Sequence, residues 1–221
     1  MKRIWPTTLC LVALLAGAIL HESRGGSIAI VYFGNLDGEL EPCGCTPDGN
    51  MGGLKRQVSI VDGLREKHPG IVLLSTGGLI SAYTANEQLT AEYILKGFQR
   101  LSYDAIGVQW SDLAYGKGFI LGSNLPWIST NWNTAAVNST RVVERGGHKL
   151  FIASWLEGNP TVSIKESEAL GIVEPHKVSL LLKQAKASGM TTVLMSPFSE
   201  NESKVKFDLA AADIVIIKSA Y

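Results

Sequence analysis

Histidine, cysteine and charge are all scarce in this chain, and each scarcity excludes something. There are four histidines and three cysteines in 221 residues. Only Cys43 and Cys45 lie outside the N-terminal segment, so a tetrahedral zinc site would need other partners such as Asp37 or Asp48. No Cys-x-x-Cys-His haem attachment is present. Charged residues make up 18% and apolar residues 46%, which marks a globular chain rather than a disordered one. Lysine plus arginine, 20, equals aspartate plus glutamate, 20, so net charge favours no class of partner. No basic patch with interleaved aromatics occurs, which sets nucleic acid aside. P-loop spacing, internal repeats and low-complexity stretches are also missing.

Long apolar runs are missing too, apart from Leu9 to Leu20. Basic Lys2 and Arg3 precede that run and a polar stretch, His21 to Ser27, follows it. A positive region, an apolar region and a polar exit, in that order, make an export signal. Counted from Ile4 the run approaches the roughly 20 residues that span a bilayer. Residues 1–26 are therefore expected to be a signal peptide or an N-terminal membrane anchor, and 27–221 the functional domain. The expected location is periplasmic, or the outer face of the cytoplasmic membrane.

Within the domain, short apolar runs alternate with stretches of helical spacing. Strands are expected at 27–33, 71–74, 105–108, 127–130, 191–196 and 214–217. Helices are expected at 54–67, 86–101, 117–121, 174–188 and 204–212. Leu89, Tyr93, Ile94, Leu95 and Phe98 are assigned to the inner side of the second helix. Gly146-Gly147 between 140–145 and 149–154 marks a hairpin. Alternation of this kind gives an α/β fold with a mostly parallel sheet, whose sites lie outside the carboxyl ends of the strands.

The loops at those ends carry a resemblance. Tyr32-Phe33-Gly34-Asn35-Leu36-Asp37-Gly38-Glu39-Leu40-Glu41-Pro42 followed by Gly52-Gly53-Leu54-Lys55-Arg56 resembles the opening of calcineurin-like metallophosphoesterases. The similarity is to the 5'-nucleotidase and UDP-sugar hydrolase branch, with its Asp-x-His-Gly-x-Leu-x-Pro and Gly-Gly-x-x-Arg. Ile71 to Gly78, Tyr103 to Gly116, Leu125 to Asn131, Thr192 to Pro197 and Asp213 to Tyr221 resemble its later motifs in the same order. The resemblance implies two packed, mostly parallel or mixed sheets flanked by helices, truncated at the C-terminus. It also implies two divalent metals that clamp a phosphoryl group and generate hydroxide.

The ligands that the resemblance calls for are not here. Asn35 stands at the position of the first Asp, Asp37 at the first His, and Gly78 at the bridging Asp. Trp110 and Ser111 replace an Asn and a His, Pro197 a later His, and Ser219 and Tyr221 the final His pair. Only Asn35 and Asp37 keep a ligand oxygen, too little to balance two dications. His21, His68, His148 and His176 fall elsewhere. No cofactor is expected, because the dinuclear site looks lost. Trp110, Tyr115, Trp127, Trp132 and Tyr221 are expected to fill the vacated space as core, and Gly49 to Gly53 to be a structural turn rather than a phosphate cradle.

Three functions fit these residues, and the lost ligands favour the first. It is a non-catalytic binding or scaffold subunit in a complex with a protein partner. The second is a residual metal-dependent phosphoesterase using Asn35, Asp37 and Asp112. The third is a thiol redox or soft-metal module of Cys43 and Cys45, set against a local disulfide that pins the loop. Pro-Cys-Gly-Cys before Gly-Gly-Leu resembles exported nucleotidase-like domains found alongside multihaem c-type cytochromes, which implies an electron-transfer or membrane complex as the partner.

Overall fold

The computed structural model describes residues 27–41, 52–81, 87–132, 137–157 and 173–217. The expected signal or anchor lies outside the described residues, as do Cys43, Cys45, Ser219 and Tyr221. No helix among the described residues is long and apolar enough to cross a membrane.

The apolar runs form two four-stranded sheets. β1 (Ile30–Phe33), β2 (Val72–Ser75), β3 (Ala105–Gly107) and β4 (Trp127–Ile128) line up in that order, all parallel. β5 (Thr140–Arg145), β6 (His148–Ser154), β7 (Thr191–Met195) and β8 (Ile214–Ile216) make the second sheet. There β5 and β6 are antiparallel and the other pairs parallel. Gly146 and Gly147, at φ +56° and +81°, take the positive-φ turn that suits the twist of a two-residue hairpin. The expected α/β architecture of mostly parallel or mixed sheets is what the chain adopts.

Alternation along each strand sorts the core into layers. Val72 and Leu74 of β2 meet Leu150 and Ile152 of β6 and Val193 and Met195 of β7 between the sheets. Leu73, one residue out of phase, packs on the opposite face with α1 (Leu54–Lys67) and α2 (Glu87–Leu101). Ala153 and Leu194 pack outward with Val178 and Leu182 of α4 (Pro175–Ala187). The short α3 (Lys117–Leu121) buries Ile120 beside β4.

Three expectations need correcting. Leu89 and Tyr93 are not on the inner side of α2; they are 60% and 55% exposed. The buried stripe is Ala91, Ile94, Leu95, Phe98 and Leu101, the i, i+3, i+4, i+7 row. Tyr93 faces solvent with the Lys96 ammonium 5.1 Å from its ring. The strand expected at 127–130 ends at Ile128, because Ser129 N–H donates to Asn138 O (3.0 Å) and Thr130 N–H to Ser154 O (2.7 Å). The helix expected at 204–212 is instead α5 (Glu200–Lys206) followed by a 3₁₀ turn at Leu209–Ala211. Ser199 starts α5 early through a capping box: Ser199 Oγ accepts from Glu202 N, and Glu202 Oε2 accepts from Ser199 N at 3.0 Å. Phe207 then breaks the helix by turning extended into the core, 5.1 Å from the Trp155 ring.

The box makes a specific stability claim. Ser199→Ala is expected to cost about 1 kcal/mol in urea unfolding, and Ser199→Asp, which keeps an acceptor at the cap, to restore most of it.

Candidate functional site

The loops that leave the carboxyl ends of β1, β2 and β3 meet at one place. Gly78 O accepts from both Leu36 N (2.9 Å) and Asp37 N (3.0 Å), which ties the β1 loop to the β2 loop. Asp112, wholly buried in the 3₁₀ turn Trp110–Leu113, ties the β2 loop to the β3 loop. Its Oδ2 accepts from Gly78 N (2.9 Å) and Gln109 N (2.9 Å), and its Oδ1 from Leu79 N (2.7 Å) and Ile80 N (3.3 Å). Burial pushes this carboxyl up to about 6, against the opposing pull of those four donors.

Two further residues secure the second sheet to the first. Thr130 Oγ1 accepts from Ser154 N (3.0 Å) and donates to Ser139 O (2.7 Å). The Asn131 side chain makes a paired amide contact, Nδ2 to Leu156 O and Leu156 N to Oδ1, both 2.7 Å. Sequence reasoning gave Asn131 no such role; its signal was a run of small polar residues, Ser129-Thr130-Asn131, directly after an apolar strand.

The structure brings some of the expected site residues together and not others. Asn35 and Asp37 are exposed, and Asn35 Nδ2 donates weakly to Asp37 Oδ1 at 3.5 Å. Gly78 lies against Asn35: a Cβ built on Gly78 would stand 2.6 Å from Asn35 Cγ and 2.8 Å from its Oδ1. Trp110 is buried, and its indole Nε1 donates to the Glu157 backbone oxygen beyond β6, so its ring belongs to the core. Trp127 and Trp132 join the same cluster and Tyr115 packs against it, although Trp127 is turned to α3, donating Nε1 to Ile120 O at 3.1 Å. Ser111 is half-buried on the same 3₁₀ turn, and Pro197 is half-buried just past β7.

Tested on this geometry, the described residues do not fit a dinuclear metal. Position 78 has no donor, and the space a side chain there would need holds the Asn35 amide. Asp112, the one buried carboxylate at the site among the described residues, spends both oxygens on backbone amides. Among the described residues, no three His, Cys, Asp or Glu side chains are grouped to hold a metal ion. A phosphate cradle at the start of α1 is also filled: Leu54 N donates to Glu39 O (3.1 Å) and Lys55 N to Leu40 O (3.2 Å).

Two stacked sheets between helices, with their loops converging beyond parallel strand ends, define a metallophosphoesterase fold of the 5'-nucleotidase type, and solved structures bear this out. A 5'-nucleotidase precursor from Thermus thermophilus superposes at a TM-score of 0.71 with 17% identity, over 86% of this chain and 41% of its own. The NAD nucleotidase of Haemophilus influenzae gives 0.71 with 15% identity, over 87% and 38%. A calcineurin-like phosphoesterase from Bacillus subtilis gives 0.64 with 15% identity, over 86% and 71%. The chain therefore spans about two fifths of the first two. No protein-family model and no curated protein matches it.

Two outcomes follow. Asp112 keeps a proton in the folded chain between its ordinary 3.8 and about 6, where the unfolded chain has released it. Its contribution to stability is thus full below the lower value and is lost as pH rises to the upper one. About two pKa units corresponds to about 3 kcal/mol. The stability difference between wild type and the non-titrating Asp112→Asn should fall by up to that amount from acid to neutral pH in parallel urea titrations. A constant difference would contradict the assignment. Gly78→Asp, at φ +68° and against Asn35, should cost about 2–4 kcal/mol. Adding Asn35→Ala to it should recover part of that loss, a coupling readable in a double-mutant cycle.

Proposed function

We propose that this chain is an exported, non-catalytic binding or scaffold subunit that works in a protein complex. The observation that carries the reading is the Asn35 amide resting on Gly78, where the resemblance places a metal-bridging carboxylate. The family chemistry needs two cations to position the phosphoryl group and to lower the pKa of the attacking water. Nothing at positions 78, 110 and 197, a glycine, a tryptophan and a proline, supplies a ligand for either. The residual-hydrolase alternative loses support because Asp112 faces backbone amides rather than solvent.

Export is supported by the order of basic, apolar and polar segments in residues 1–26. A multihaem cytochrome or membrane complex as partner is supported by the likeness of Pro42-Cys43-Gly44-Cys45 to its counterpart in nucleotidase-like domains found with such cytochromes. The substrates named for the structural neighbours belong to those proteins, since fold alone does not carry function.

The test is elemental mass spectrometry and phosphoesterase assay on chain purified without chelator, then offered Mn²⁺ and Zn²⁺. Substoichiometric metal and no hydrolysis of phosphate mono- or diesters above the blank are expected. Two equivalents of metal with turnover abolished by Asp37→Ala would overturn the proposal.

A further inference from the structure

The helical layer over the second sheet carries a groove between α4 and α5, walled by described residues. His176, Ser179, Leu180 and Lys183 line it from α4. Val205 and Lys206 line it from the end of α5, and Phe207 and Asp208 from the turn after. It encloses about 490 Å³. The α4 residues fall in an i, i+3, i+4, i+7 row, so the groove follows two helical turns, about 10 Å. Its floor is tied together: Asp208 N donates to Ser179 Oγ (3.2 Å), and Lys183 Nζ meets Asp208 Oδ2 at 2.6 Å.

The walls are apolar where the core has no use for them. α4 buries Val178, Ser179, Leu182 and Ala185, which leaves Leu180 53% exposed, and Val205 of α5 is 87% exposed. Charge is distributed unevenly around these two. α4 holds His176, Lys177, Lys183 and Lys186 and no acidic residue. The carboxylates nearby are already engaged: Asp208 with Lys183, Asp213 with Lys186 (2.7 Å), Glu200 with Lys204, and Glu202 in the Ser199 cap. Glu174 stands at the N-cap of α4, where negative charge suits the helix dipole. Lys177, beside Leu180, and Lys206 have no carboxylate partner among the described residues; the Lys206 ammonium lies 4.7 Å from the Phe198 ring. The hollow is thus aliphatic and its rim keeps uncompensated positive charge.

We propose that this groove docks a short, acidic amphipathic helix of a partner protein. Its aliphatic side chains, spaced by one helical turn, would seat between Leu180 and Val205, and its carboxylates would meet Lys206 and Lys177. Complementary charge would then set the register and steer the encounter, while the buried anchors hold the complex. Shape selects a helix over an anionic membrane, because a flat bilayer surface would meet the rim and leave the hollow unfilled. The proposal supplies a surface for the binding-subunit reading, but it does not rest on the loss of the metal site.

Selection of a phage-displayed random peptide library on the full chain, counter-selected on Val205→Asp, tests it. Enriched peptides are expected to carry aliphatic residues at i, i+3 or i+4, and i+7, with a surplus of Asp and Glu. A fluorescein-labelled copy of the strongest binder should lose at least about tenfold in affinity on Leu180→Asp, on Val205→Asp and on Lys206→Glu. All three side chains are exposed, so the far-UV spectrum should not change. Leu89→Asp, at a site 60% exposed on α2, should leave the affinity as it was. No enrichment over the counter-selection, enrichment of basic peptides, or binding indifferent to Lys206→Glu would overturn the proposal. So would Val205-dependent binding to phosphatidylglycerol vesicles without peptide selection, which would make the face a membrane surface.

Discussion

A single buried carboxylate holds the working end of the first sheet together. Asp112 collects the amides of Gly78, Leu79, Ile80 and Gln109, so the loops after β2 and β3 cannot separate without exposing or orphaning them. The carbonyl of Gly78, fixed by that arrangement, then receives Leu36 and Asp37 and sets the loop after β1. Three connections that begin far apart in sequence are thus hung from one side chain. Removing a carboxylate from water is costly, and the four bonds from backbone amides offset part of that cost, leaving the carboxyl above its ordinary range.

The same arrangement shapes the space around Gly78. With Gly78 pulled toward Asp112, its φ enters the positive region that glycine takes without steric penalty. Its open Cα face then meets Asn35. A side chain at 78 and an amide at 35 compete for one volume, so the two residues are best read as a pair. Nearby, a Cβ on Gly77 would come within 2.3 Å of Gly107 O, which shows how closely the ends of β2 and β3 approach.

The fold was legible because its information is spread over many positions. Alternation in Val72-Leu73-Leu74 and Val193-Leu194-Met195 assigns both faces of central strands, and Gly146-Gly147 announces a hairpin without long-range knowledge. The start of α5 was missed because the capping pair Ser199 and Glu202 carries no apolar periodicity, which was the signal used to place helices. Leu89 and Tyr93 were misplaced because a 3.6-residue period admits two neighbouring rows in a short helix, and only packing chooses between them. At the site, the identity of each residue was readable but its partner was not. Asp112 looked like a candidate catalyst in sequence, since nothing local tells a carboxylate that faces solvent from one that faces three amides about thirty residues away.

This contrast bears on why a fold is easier to read from a sequence than a site upon it. Core positions are numerous and mutually supporting, so each constrains the others. Metal ligands are few, and without the metal they are a liability, because clustered carboxylates repel one another and resist desolvation. Replacing one of them by glycine and letting a neutral amide rest in the space removes charge from a crowded place and adds contacts. The chain then keeps the sandwich, with the loops held by hydrogen bonds internal to the protein.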